Sequence, residues 1–116
     1  MNALPRILER RQDATGSVLH LRVEASNPWF EGHFPRLPIL PGVVQIGWAE
    51  HFACTLHGYT PGLSAVEQLK FKRPILPGTE LDLILKPDAT AGKLRYEYRD
   101  ADTSYSAGVL RFRAAP

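Results

Sequence analysis

Val43-Val44-Gln45-Ile46-Gly47-Trp48-Ala49-Glu50-His51-Phe52-Ala53-Cys54-Thr55-Leu56 shows no alternation of apolar and polar residues. Its apolar side chains, at 43, 44, 46, 48, 49, 52, 53 and 56, cover most of the circumference of a helix. Pro41 ahead of the stretch suits a helix start, and Gly58 beyond it suits a left-handed cap at the C-terminal end. A helix that is apolar nearly all round is normally buried. The stretch therefore reads as a central helix that the rest of the chain must cover.

The material for that cover is β-strand. Leu19, Leu21, Val23 and Ala25 alternate with His20, Arg22 and Glu24. Leu81, Leu83 and Leu85 alternate with charged neighbours, and so do Leu94, Tyr96 and Tyr98. Leu69 and Phe71 alternate with Lys70 and Lys72, and Tyr105 to Arg113 closes the chain as a further extended run. A period of two with one apolar face marks antiparallel sheet, buried on one side and wet on the other. Pro74, Pro77 and Gly78 interrupt the chain before Thr79, while Pro87 to Gly92 and Asp100 to Asp102 read as hairpin connections. The architecture that follows is α+β, a curled antiparallel sheet wrapped around one long central helix, in a single domain over residues 1–116. No internal repeat is visible.

Bulk properties narrow the function. A formal net charge of +2 over 116 residues argues against a nucleic-acid binder. Lys70, Lys72 and Arg73 nevertheless gather in one short stretch, either as a solvated strand face or as a landing site for an acidic carrier. Cys54 is the only cysteine and sits in the apolar helix, so it reads as a small core residue. Met1 to Gln12 lacks the apolar run of a signal peptide, and no segment is apolar enough to span a membrane. These features point to a reducing, cytoplasmic setting. His20 and His57 have no acidic partner at metal-ligand spacing, so no metal site is expected.

Chemistry concentrates in Asn27 to Gly42, NPWFEGHFPRLPILPG. Pro35, Pro38 and Pro41 recur at intervals of three and stiffen the path, while Gly32 permits a bend immediately before His33. Such a loop, leading straight into a buried helix, can hold one imidazole in place as a catalytic base. Gly42, in the first helical turn, offers a backbone N–H without an intrahelical partner at the positive end of the helix dipole. An N–H so placed can stabilise an oxyanion, and glycine leaves its approach open. Asn27 reads as a turn residue.

The run GHFPRLPILPGV (32–43) resembles the GHFPxxPxxPG signature of bacterial 3-hydroxyacyl-acyl carrier protein dehydratases, which have the hotdog fold. NPWFEGHFP is similar to that family's approach to its active-site histidine. LKFKRPILPGTELDL (69–83) is similar to its strand, Pro-Gly turn and strand. The resemblance runs from about Thr15 to the end. It implies that His33 removes the proton from C2 of the substrate and that Gly42 donates to the thioester carbonyl. It also implies paired sites at a dimer interface, the acid coming from the helix of the other subunit, with no metal or organic cofactor. The acyl chain would lie along the helix, with Trp48 as a tunnel wall or as plain core.

One departure matters. The family's acid falls fourteen residues after the histidine and a glutamine one turn later; here those registers hold Gly47 and His51. Glu50 lies three residues after Gly47 on nearly the same helix face and is the first candidate to replace the acid. His51 is the second, since imidazole can donate or accept near neutral pH. A third explanation is a related dehydratase chain that supplies the acid in a heterodimer, as an alternative to the homodimer. LPGVVQIGWA (40–49) resembles the branches associated with aryl polyene pathways. Gln45 is a further candidate for contact with the substrate or across the dimer.

The expected activity is dehydration of a (3R)-hydroxyacyl chain on acyl carrier protein to the trans-2-enoyl thioester. The alternatives are acyl-thioester hydrolysis and a non-catalytic subunit of a heteromeric dehydratase.

Overall fold

Residues 3–30 and 38–113 are described by a computed structural model of the chain. In chain order the elements are β1 (Arg6–Asp13), β2 (Gly16–Arg22), a 3-10 turn at Pro28–Phe30, α1 (Gly42–His57), β3 (Leu63–Phe71), β4 (Glu80–Pro87), β5 (Lys93–Arg99) and β6 (Ser104–Phe112). The six strands form one sheet in the order β1-β2-β4-β5-β6-β3, every neighbouring pair antiparallel. The segment joining β2 to β3, the strand at the far edge, therefore carries α1 across the inner face.

Register explains the core. Leu19 pairs with Leu83, and Leu83 with Tyr98, so the alternating apolar residues of three strands stand on one face. These residues are fully buried beneath α1. Burying side chains of this size stabilises the fold by about 1.5–3 kcal/mol each. Gly108 opposes Tyr96, and a Cβ there would come within 2.8 Å of the Tyr96 ring. The glycine makes room for the tyrosine.

The helix lies where the sequence places it, one residue longer at each end than the run Val43 to Leu56. Its start follows Pro41, and Gly58 ends it at φ 75°, donating its N–H to the Cys54 carbonyl. Burial of the helix departs from the expectation of cover on all sides. Val44, Gln45, Trp48, Ala49, Phe52 and Ala53 are buried, but Val43 is 76 % exposed and the i+4 stripe Val43, Gly47, His51 and Thr55 faces outward. A single sheet covers only one side of a cylinder, so an apolar residue such as Val43 is left in the open. The helix is pinned at both ends. Tyr98 donates its hydroxyl to the Gln45 carbonyl at 2.6 Å. Ser17 Oγ and His57 Nε2 share a hydrogen bond of 2.9 Å near the other end.

Two strands differ from the sequence reading. β1 was not anticipated, and β3 begins at Leu63 rather than near Leu69. Register shifts between Leu63 and Ala65 and between Glu67 and Lys70 break the period of β3, with Gln68 at φ 52° in the second. Leu69 and Phe71 consequently stand exposed instead of in the core. Cys54 is half-buried against the core, and burial raises its thiol pKa, in keeping with an unreactive packing residue.

Candidate functional site

The 3-10 turn leads into the histidine loop. Asn27 Oδ1 accepts the Trp29 N–H at 3.0 Å and the Asn27 carbonyl accepts the Phe30 N–H at 3.1 Å, which makes Asn27 the turn residue it was read to be. His33 lies outside the described residues. The far side of the loop is fixed where the Leu40 N–H donates to the Ile75 carbonyl at 2.9 Å.

Two concavities flank the first turns of α1. One, of about 300 Å³, has Gly42 at its base, with Gln45, Phe71, Lys72 and Arg73 around it. The carbonyl of Pro41 accepts from Val44 and Gln45, leaving the Gly42 N–H without a backbone partner among the described residues. An added Cβ here would come within 2.5 Å of the Phe71 ring, so the exposed Phe71 side chain would have to shift. Lys72 and Arg73, two of the three basic residues noted in the sequence, thus stand beside the expected oxyanion donor.

The second concavity, of about 290 Å³, opens on the exposed stripe of the helix. Trp29, Val43, Gly47, Trp48 and His51 line it, so it joins three of the residues singled out around the missing acid. Nothing lies within 4 Å of the point a Gly47 Cβ would occupy. Trp48 is both wall and core, 3 % exposed, with its indole N–H donated to the Ala3 carbonyl at 3.1 Å. Trp29 escaped the sequence reading as a site residue. Its indole nitrogen is buried beside this concavity without a hydrogen-bond partner among the described residues. The only sequence signal was an aromatic side chain four residues before His33.

The remaining candidates are occupied within the chain. Glu50 does not line either concavity; its carboxylate accepts the Gly62 N–H at 2.8 Å. Gln45, the candidate for contact with the substrate or across a dimer, lines the Gly42 concavity, with its Nε2 donating to the Leu40 carbonyl at 3.1 Å and its Oε1 accepting from Ser106 Oγ at 2.6 Å. That network ties the helix start to β6 and to the end of the histidine loop. His20, for which no acidic partner at metal-ligand spacing was read in the sequence, sits between Asp82 at 2.9 Å and Glu80 at 3.2 Å on the outer sheet face.

The fold is the hotdog fold, a single helix held against an antiparallel sheet. A chain of the dehydratase heterocomplex ApeI:P from Xenorhabdus doucetiae superposes with a TM-score of 0.86 at 36 % identity, covering 97 % of this chain and all of that one. An uncharacterised protein from Erwinia carotovora subsp. atroseptica does so at 0.78 and 36 % identity, covering 95 % and 96 %. The dehydratase domain of a mycocerosic acid synthase-like polyketide synthase shares the fold at 20 % identity and a TM-score of 0.71, covering all of this chain and 41 % of its own.

The family model described as ApeI dehydratase, ApeI-like, matches residues 9–109, and the chain belongs to that family. Among curated relatives, the 3-hydroxyacyl-[acyl-carrier-protein] dehydratase FabZ of Clostridium perfringens (strain SM101 / Type A) is 31 % identical over 86 residues, 66 % of this chain and 62 % of the relative. This chain therefore spans about three fifths of the length of that relative. No helix among the described residues is long and apolar enough to cross a membrane.

Proposed function

We propose that the chain takes part in dehydrating (3R)-hydroxyacyl thioesters carried on acyl carrier protein, as one member of a two-chain assembly. His33 takes the proton from C2. The Gly42 N–H stabilises the enolate oxygen so formed. The C–O bond at C3 then breaks, and the departing hydroxyl leaves as water once an acid protonates it, giving the trans-2-enoyl thioester. The family of the chain and the printed activity of its FabZ relatives support the reaction. Lys72 and Arg73, beside Gly42, support an acidic carrier as the bearer of the substrate.

One observation supports the two-chain form. The stripe Val43, Gly47 and His51 is exposed, lines a concavity, and has open space where the family's acid would stand. A carboxylate from a related dehydratase chain packed on that stripe would complete the site, and a heteromeric assembly is known for the similar ApeI:P complex.

The test is mass spectrometry on 3-hydroxyacyl carrier protein incubated with this chain alone and with a second dehydratase chain of the same fold. Loss of one water in the mixture, absent or much slower with the chain alone and abolished by His33→Ala, supports the proposal. Release of free carrier thiol would identify a thioesterase instead. Full activity of the chain alone would remove the need for a second chain.

A further inference from the structure

We infer that Gln45 is a positioning residue of the site, a clamp that holds the end of the histidine loop in one orientation against the Gly42 N–H. The role rests on the dehydration proposed above, in which His33 and Gly42 act on the same thioester. Gln45 is 3 % exposed, and each of its polar groups is engaged. Its main-chain N–H donates to the Pro41 carbonyl at 3.2 Å, and its own carbonyl accepts the Tyr98 hydroxyl at 2.6 Å. Its Nε2 donates to the Leu40 carbonyl at 3.1 Å, and its Oε1 accepts the Ser106 hydroxyl at 2.6 Å. So buried and so engaged, it acts through Leu40 and Gly42 rather than on the substrate.

One residue thereby grips two successive peptide groups, Leu40–Pro41 by its side chain and Pro41–Gly42 by its main chain. In a planar trans peptide the N–H points opposite to the C=O. The Pro41 carbonyl is turned into the helix to meet the N–H groups of Val44 and Gln45, so the Gly42 N–H is turned out of it. Only the two torsions of Pro41 separate these planes. The ring locks φ, here −59°, and ψ stands at 143°. With both carbonyls held, that ψ is no longer free. The Leu40 N–H, bonded to the Ile75 carbonyl at 2.9 Å, anchors the same residue from its other side. The chain leading from His33 thus meets the oxyanion donor through a joint without a free torsion.

Ser106 decides which way the Gln45 amide faces. The Leu40 carbonyl can only accept, so it takes the Nε2 end, and the Oε1 end is left for a donor. Ser106, fully buried on β6 opposite Tyr98 of β5, supplies that donor. Loss of either side chain leaves a buried polar atom unpaired. An apolar side chain would fill this space without any such requirement; what the satisfied network adds is a fixed orientation.

Gln45→Met, which keeps the side-chain length, and the milder Ser106→Ala are compared with Ser17→Ala, which removes one hydrogen bond near the other end of α1. The first readout is the backbone amide order parameter of Leu40 and Gly42 in the whole chain. A value of about 0.85 is expected in the parent and in Ser17→Ala, falling toward about 0.6 in Gln45→Met and part of the way in Ser106→Ala. The second is steady-state dehydration of 3-hydroxyacyl carrier protein by the complete two-chain assembly. Alignment in the transition state is lost while substrate binding is kept, so kcat should fall at least about tenfold in Gln45→Met with KM within about twofold. If Gln45→Met does not fold, Ser106→Ala decides both readouts. Order parameters that stay at the parent value would overturn the clamp. So would a fall in kcat matched by Ser17→Ala, or an unchanged kcat in an assembly whose Leu40 and Gly42 have loosened. No dehydration by the parent assembly would strike the proposed reaction instead, and the order parameters would still decide whether Gln45 holds the joint.

Discussion

The Glu50 carboxylate accepts the backbone N–H of Gly62 at 2.8 Å, bridging the helix to the turn that precedes β3. Gly62 has φ 116°, a conformation other residues rarely adopt, and its carbonyl in turn receives the Arg113 N–H at 2.9 Å. The acidic residue nearest in sequence to the position of the missing acid thus fastens the chain's C-terminal strand to the helix. Two variants separate that task from catalysis. Glu50→Gln keeps an acceptor and is expected to retain stability within about 1 kcal/mol, whereas Glu50→Ala should lose about 1–2 kcal/mol in urea unfolding. Turnover of folded Glu50→Gln, in the complete assembly, is expected to stay within a few-fold of the parent. A loss of tenfold or more would restore Glu50 as the proton donor.

Gly47 invites the opposite experiment. The site of its absent side chain is open, and the residue faces outward in mid-helix, so Gly47→Glu should fold and gain up to about 1 kcal/mol from helix propensity alone. The new carboxylate would enter the concavity shared by Trp48 and His51. A positioned acid commonly contributes ~100-fold or more, so a rise of at least about tenfold in dehydration by the chain alone is expected. The control Gly47→Gln should match the gain in stability without the gain in rate. Equal rates in both variants would show that an acid is not what the isolated chain lacks.

The sequence disclosed those parts of the fold that bury one face. β2, β4, β5 and β6 were legible because their inward residues alternate with wet ones, and α1 because its apolar run broke that rhythm. β1 was silent because all eight of its residues are exposed, so no burial pattern was imposed on RILERRQD. β3 was truncated because its two register shifts each change which residue faces inward. At the site, Gly42 was legible from its place after Pro41. The engagement of Glu50 by Gly62 and of Gln45 by Ser106 was not, since those contacts join residues 12 and 61 positions apart.

A pH effect on stability follows from the outer-face cluster. Hydrogen bonds from His20 to Asp82 first, and then to Glu80, raise the imidazole pKa above its ordinary 6.5. Arg22, and then His20, lower the Glu80 carboxyl below its ordinary 4.5. Glu9 of β1 also pairs with His20, and Arg99 pairs with Asp82. The raised His20 contributes stability that is fully present below pH 6.5 and is lost as pH rises through its folded value. The lowered Glu80 contributes stability that is present above pH 4.5 and is lost as pH falls through its folded value. The cluster should therefore stabilise most between those limits. His20→Gln is expected to lower the unfolding midpoint more at pH 5.5 than at pH 8. An equal loss at both pH values would show that the charge on His20 contributes nothing.

Two tyrosines on one strand should respond oppositely to loss of the same atom. Tyr96 and Tyr98 both face the core of β5, their rings edge to face with centroids 5.8 Å apart. Burial pushes the Tyr96 pKa up to about 12 and raises that of Tyr98 well above its ordinary value, so both hydroxyls keep their protons at neutral pH. Only Tyr98 has an acceptor, the Gln45 carbonyl at 2.6 Å; the Tyr96 hydroxyl has no partner among the described residues. A buried polar group left unpaired carries its desolvation cost without return, whereas a satisfied one contributes about 1 kcal/mol. Tyr98→Phe should destabilise by about 1–1.5 kcal/mol and Tyr96→Phe should be neutral or stabilising by up to about 1 kcal/mol. Urea midpoints measured at constant slope decide it. A loss in Tyr96→Phe as large as in Tyr98→Phe would mean that the Tyr96 hydroxyl has a bonding partner after all.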